Sequence, residues 1–319
     1  MISTNDRFLW ILCNNLESWR AYETMELTIF TPTYNRAYIL GNLYHSLQRQ
    51  TDFRFEWLII DDGSGDDTDK LVADWQQASN PFTIRYLKVE NGGKCRAINR
   101  ALDLANGRLF FVVDSDDYLT DDAVEVILNC ERDIPKSKKT AGILANLGLT
   151  ETETTNRLLN EKYEDRSLLD RYESEKNLYP LDGERALIIY TDVHKKYKYP
   201  VFEGENFMTE AVVWNRMAKD GYMIRVIDKI LVVYEYQESG LTKSGLKLFH
   251  ENPKGYALWQ VEKSFSMNEP RAQRLKLYKN YLYELKDSHP VSELCDYLGI
   301  PTVWGRLLMM QLYLKNIFM

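Results

Sequence analysis

The residues best placed to do chemistry are three carboxylates in the run Asp114-Ser115-Asp116-Asp117. Hard divalent cations take carboxylate oxygens. Mg2+ and Mn2+ sites that serve nucleotides use one or two carboxylates and complete the shell with phosphate and water. Alternate residues just past a strand can aim two carboxylates at one ion, so Asp114 and Asp116, with Asp117 beside them, read as the metal site. An isolated Asp-rich turn is commonly only a helix cap. This one follows the all-apolar run Leu109–Val113.

Three more polar clusters stand at the same place in the pattern. Asp61-Asp62-Gly63-Ser64 offers a carboxylate to a ribose hydroxyl or a base N–H, or caps the next helix as an Asx turn. Asn91-Gly92-Gly93-Lys94 opens a helix. Its glycines admit close backbone approach, and the helix start and Lys94 favour an anion. It is not a Walker loop, because the G-x-x-x-x-G-K-[ST] spacing is absent. Thr31-Pro32-Thr33-Tyr34-Asn35-Arg36 is the fourth cluster.

The elements that must position these clusters alternate. Strands are predicted over Glu26–Thr31, Glu56–Ile60, Thr83–Val89 and Leu109–Val113. Helices carry Ile39, Leu40, Leu43 and Leu47, then Asp66–Ala78, then Ala97, Ile98, Ala101 and Leu102. Alternating β and α elements predict an α/β fold with a mostly parallel sheet and helices on both faces. Ligands collect at the carboxyl ends of such strands, where all four clusters fall. Further on, Met223–Tyr236 is expected as two short strands around Asp228-Lys229, and the chain after Gly240 as helical.

Composition narrows the classes. The chain has 319 residues, is 45% apolar and carries a net charge of −7. It can bury a sizeable core, and a nucleic-acid partner is disfavoured because that surface is usually basic. Cys13, Cys95, Cys130 and Cys295 are scattered, which argues against a zinc site or disulfide framework and fits a reducing cytoplasm. No apolar run approaches a membrane span. Met25 directly precedes the first strand, so residues 1–24 are expected to be an extension outside the fold.

The order TPTYNR at 31–36, LIIDDGS at 58–64 and NGGK…AINRAL…ANGRLFFVVDSDD at 91–117 resembles the inverting family 2 glycosyltransferases of the GT-A (Rossmann-like) fold. The match covers roughly residues 26–236. It implies a catalytic domain over 25–240, with 25–120 holding the nucleotide and 121–240 the acceptor, and a helical region over 241–319. It implies that Pro32, Tyr34, Arg36, Asp62, Lys94 and Asp114 bind the nucleotide-sugar, usually a UDP-sugar. It also implies that Asp116 and Asp114, with Asp117 as a further contact, hold Mn2+ or Mg2+. Asn99 and Arg100 match positions on the helix after the glycine loop.

The family places an acidic base at a helix start in the second half, and Glu210 resembles it. Relatives carry an acidic pair there, whereas Ala211 follows Glu210, so Glu205 and Glu203 stay open as alternatives. Trp214 and Arg216 continue the segment. The loop after the last strand lacks the Arg or His of relatives, and Lys243 is the candidate substitute.

The implied function is transfer of a sugar to an acceptor hydroxyl with inversion, in polysaccharide or glycan biosynthesis, with a saccharide or lipid-linked saccharide as acceptor. Val303–Phe318 suits a peripheral contact at the inner face of a membrane, or packing on the core or on a second subunit of a homodimer. The alternatives are a sugar nucleotidyltransferase, disfavoured because Thr31–Arg36 contains no glycine, and a non-catalytic GT-A-like binding subunit.

Overall fold

The computed structural model describes residues 25–155, 164–172, 181, 183–235, 241–266 and 269–317, with 241–244 and 312–317 described by backbone only. The expected extension 1–24 and the side chain of Lys243 lie outside the described residues.

The strands are β1 (Leu27–Thr33), β2 (Phe55–Asp61), β3 (Thr83–Lys88), β4 (Leu109–Val112), β5 (Tyr118–Leu119), β6 (Thr140–Gly148), β7 (Glu164–Ser167), β8 (Arg185–Tyr190) and β9 (Met223–Val233). They form one sheet in the order β3-β2-β1-β4-β8-β6-β9-β5, with β7 also pairing β9. The β3-β2-β1-β4 half is wholly parallel. The other half is mixed, since β8 runs antiparallel to both β4 and β6.

Between the strands lie α1 (Leu40–Gln48), α2 (Thr68–Gln77), α3 (Lys94–Leu104), α4 (Ala123–Arg132), α5 (Thr191–His194) and α6 (Ala211–Lys219). The C-terminal helices are α7 (Leu241–His250), α8 (Pro253–Ser266), α9 (Arg271–Leu285), α10 (Val291–Leu298) and α11 (Thr302–Ile317).

Strand side chains alternate between faces, and the core divides accordingly. Ile29, Trp57, Ile59, Leu109, Phe111, Ile143 and Ile188 pack on one face. Phe30, Leu58, Ile60, Phe110, Leu144 and Ile189 pack on the other, beneath α3 and α6. A third cluster joins the C-terminal helices through Tyr256, Tyr281, Leu285, Leu294 and Leu308.

Two boundaries differ from expectation. β1 runs through Pro32 to Thr33, because pairing to β4 ends at Phe30 and Pro32 needs no donor on that side. Met223–Val233 is one long strand, not two. Register shifts opposite β6 absorb the polar Asp228-Lys229 pair, and Asp228 accepts a hydrogen bond from Asn146 Nδ2.

One face of α11 packs inward. A Cβ on Gly305 would lie 2.1 Å from Cys295 Sγ, and Leu308 and Met309 are buried. The other face exposes Val303, Trp304, Leu307 and Met310. Among the described residues no helix is long and apolar enough to cross a membrane.

Candidate functional site

Parallel pairing sets the site. Thr33 stands beside Asp61, and Phe30 beside Val112, so the turns after β1, β2 and β4 leave the sheet at one rim. The loops are clipped together. The Asn35 N–H donates to Ser64 Oγ, the Gly65 N–H to Asn35 Oδ1, and the Ala37 N–H to Asp66. Asn35 adopts φ 53°, a left-handed conformation that asparagine tolerates.

Asp61 and Asp62 divide their work. Asp61 is buried and accepts from the Ser64 N–H and the Tyr86 hydroxyl, which fixes the turn. Asp62 accepts from the Gly92 and Gly93 N–H groups at 2.9 and 2.8 Å. It therefore positions the glycine loop while still lining the cavity. Burial raises its carboxyl above the ordinary range.

Gly93 is the position where only glycine fits. Its φ is +89°, and a Cβ would sit 1.8 Å from the Asn206 carbonyl oxygen. That approach holds the 202–206 segment against the start of α3. Arg96 secures it by donating to the carbonyls of Gly92, Glu205 and Phe202.

Lys94 is the hub. Its Nζ lies 2.8 Å from Asp114 Oδ1 and 2.9 Å from Glu210 Oε1. Burial alone lowers a lysine. Here Asp114 and Glu210 outweigh it, and the ammonium is held well above its usual range. Glu210 immediately precedes α6, yet its side chain makes no capping bond to that helix. Its carboxylate faces the cavity.

Three carboxylates crowd the turn after β4. Burial first, then Asp114, raises Asp116, with Arg36 3.6 Å away opposing the rise. Burial, then Asp114 and Asp116, push Asp117 up to about 8. Asp117 also accepts from the Glu235 N–H at 3.3 Å. Among the described residues no three His, Cys, Asp or Glu side chains converge as a complete metal cage. The hard oxygen donors and their mutual repulsion nonetheless suit a divalent cation that completes its shell with phosphate and water.

One cavity of about 980 Å3 is lined by Pro32, Tyr34, Arg36, Asp62, Lys94, Asp114, Asp116, Asp117 and Glu210. The structure thus brings these residues, expected from the sequence to bind nucleotide-sugar, metal or proton, to one place. Trp214 lines it too.

Other expectations resolve differently. Glu205 is buried outside this cavity and accepts from the Lys254 and Gly255 N–H groups at the start of α8. Glu203 is exposed and does not line the cavity. Arg216 pairs with Glu262 on α8, and Asn99 is tied to the Tyr199 backbone. Arg96 and the cavity-lining Glu184 and His194 were not foreseen. Arg96 reaches the carbonyls of Phe202 and Glu205 more than a hundred residues away, and His194 packs on Phe110 and Tyr199 of other segments, so local spacing carried no signal for them.

Residues 28–135 match the family model described as Glycosyl transferase family 2. The Streptococcus pneumoniae glycosyltransferase GlyA is 22% identical over 275 residues, covering 82% of this chain and 36% of GlyA. An uncharacterized glycosyltransferase of Mycoplasma genitalium is 36% identical over 106 residues, covering 32% of this chain and 36% of that protein. The chain thus spans little more than a third of these curated relatives. The crystal structure of Staphylococcus aureus TarS 1–349 with UDP-GlcNAc superposes with a TM-score of 0.57 at 17% identity, over 82% of this chain and 73% of that one. A mannosyltransferase from Pyrobaculum calidifontis, in complex with GDP-Man and Mn2+, gives 0.53 at 17% identity, over 94% and 87%.

Proposed function

Because this chain belongs to the family 2 glycosyltransferases and has their GT-A fold, we propose that it transfers a sugar from a UDP-sugar to an acceptor hydroxyl with inversion, in surface polysaccharide synthesis. The observation that carries this reading is the Asp114–Lys94–Glu210 chain, which links a nucleotide-side carboxylate to a helix-start carboxylate across one cavity.

The residues divide the work. Tyr34, half exposed at the cavity mouth, offers a ring face to the base, and Pro32 and Asp62 line the nucleoside side. Asp114 and Asp116, with Asp117 as a further contact, would hold the divalent ion. The divalent ion, when bound, offsets charge on the diphosphate. Lys94 has three N–H donors and turns from Asp114 and Glu210 toward the leaving phosphate as negative charge develops there. Arg36, already beside Asp116, reaches the same region.

Glu210 takes the proton from the acceptor hydroxyl as its oxygen attacks C1 opposite the leaving group. One displacement inverts the anomeric carbon, and the proton leaves on Glu210. The UDP complexes of TarS, and the chondroitin synthase and hyaluronan synthase of Pasteurella multocida among the relatives, support the donor and the setting.

The test is thermal shift with UDP, GDP and ADP, each with and without Mn2+, followed by hydrolysis of the matching nucleotide-sugar. A UDP shift that needs Mn2+ and disappears in Asp116→Ala is expected. A shift with no nucleotide, or one equal in Asp116→Ala, defeats the reading.

A further inference from the structure

The cavity continues beyond its charged rim. On the same face of the sheet it passes over Phe110 of β4, Ile189 of β8 and Leu144 of β6, under Met208 and Trp214. Phe110 stands four residues before Asp114, so this recess reaches roughly 13 Å from the acidic turn at about 3.3 Å per strand residue. Its lining changes along that length from carboxylates to hydrocarbon.

His194 lies at the far end. It packs edge-on against Phe110 at 5.6 Å and against Tyr199 at 6.0 Å. It is 2% exposed, and it lines the cavity. Among the described residues, neither ring nitrogen has a hydrogen-bond partner. Burial lowers its pKa to about 4, so the ring is neutral and offers one N–H donor and one lone pair. Buried polar atoms are almost always paired, and the cavity is where a partner can reach this one.

A nucleotide cannot supply that partner. Its phosphates and ribose would lose water along hydrocarbon walls for a single polar contact. We infer that the recess seats an apolar aglycone of the acceptor, an alkyl or aromatic group with a hydroxyl or amide at its far end for His194, while the acceptor sugar lies at Glu210. This rests on the reading of the cavity as the transfer site and names the acceptor class for it. The Phe110–Ile189 cross-strand pair forms the floor, and His194 sets the length and the polar terminus.

The experiment titrates the full chain, saturated with UDP and Mn2+, with n-alkyl β-D-glucosides from methyl to octyl below their micelle concentrations, and with 8-hydroxyoctyl β-D-glucoside. Affinity is expected to rise by up to about fourfold per methylene. The hydroxyoctyl compound is expected to bind at least as tightly as octyl in the wild type, and several-fold more weakly than octyl in His194→Phe. Ile189→Trp is expected to flatten the series with the UDP shift intact. A flat wild-type series overturns the recess whatever the variants do. An unchanged hydroxyoctyl-to-octyl ratio in His194→Phe overturns its polar terminus. Failure of UDP and Mn2+ to stabilise the wild type would instead overturn the transferase reading itself.

Discussion

Glu205 and Glu210 differ by five residues, and under the proposed function they do opposite kinds of work. Each changed to glutamine should fail in its own way. The Glu205 carboxylate accepts two backbone N–H bonds, at 2.7 and 2.9 Å, from the first turn of α8, where Pro253 supplies no donor. Hydrogen bonds to a charged group contribute about 1.5–3 kcal/mol each. Glutamine keeps one acceptor but turns an amide toward the other N–H, leaving a buried donor unpaired and removing charge from a helix N-terminus. The expected cost of Glu205→Gln is about 2–4 kcal/mol. At about 2–4 °C per kcal/mol for a large domain, that lowers Tm by roughly 4–16 °C.

Glu210 is another case. Its side chain is 24% exposed, caps nothing and meets Lys94 as an ion pair. Removing such a part-exposed pair costs about 1 kcal/mol or less. As the proposed general base, however, it would carry about 10²–10⁴-fold in rate. The assay is Tm by calorimetry beside turnover of the UDP-sugar, both variants at matched nucleotide saturation. Glu205→Gln should melt early yet turn over near wild type below its Tm, and Glu210→Gln should melt normally and turn over poorly. The reverse pattern would refute the assignment of the base.

Three further outcomes follow from the same geometry. Gly93→Ala places a methyl against the Asn206 carbonyl in a conformation disfavoured for L residues, so UDP affinity should drop at least tenfold, read by titration. Lys94→Met removes the cation between Asp114 and Glu210 and should lower kcat by about 10²-fold or more with little change in Tm, measured by initial rates. Asp117 has a folded pKa raised to about 8, so its protonated form favours the fold. That contribution is complete below about 4 and is lost as pH rises through 8. The Tm of the metal-free chain should therefore fall between pH 5 and pH 9. Asp117→Asn should flatten that fall, and Mn2+ should counter it in the wild type.

The parallel half of the sheet and the gathering of polar clusters at its rim were legible in the sequence, because both depend on local periodicity. A strand buried on two faces must be apolar throughout, and its end must turn, so Leu109–Val113 followed by Asp114-Ser115-Asp116-Asp117 is readable within nine residues. The same holds for Asp61-Asp62-Gly63-Ser64 and for Asn91-Gly92-Gly93-Lys94. What spacing could not decide was which carboxylate in the 203–210 segment faces the cavity. Glu205 is withdrawn because the first turn of α8, fifty residues later, presents two unsatisfied N–H groups that only the folded chain brings to it. The Asp114–Lys94–Glu210 chain, the Arg96 clamp and the apolar recess ending at His194 arise in the same way, from elements far apart in sequence packed on one sheet face. Periodicity fixes which face a residue takes along its own strand or helix. Only tertiary packing fixes what stands opposite, and at this site that decides which carboxylates are spent on structure and which remain for chemistry.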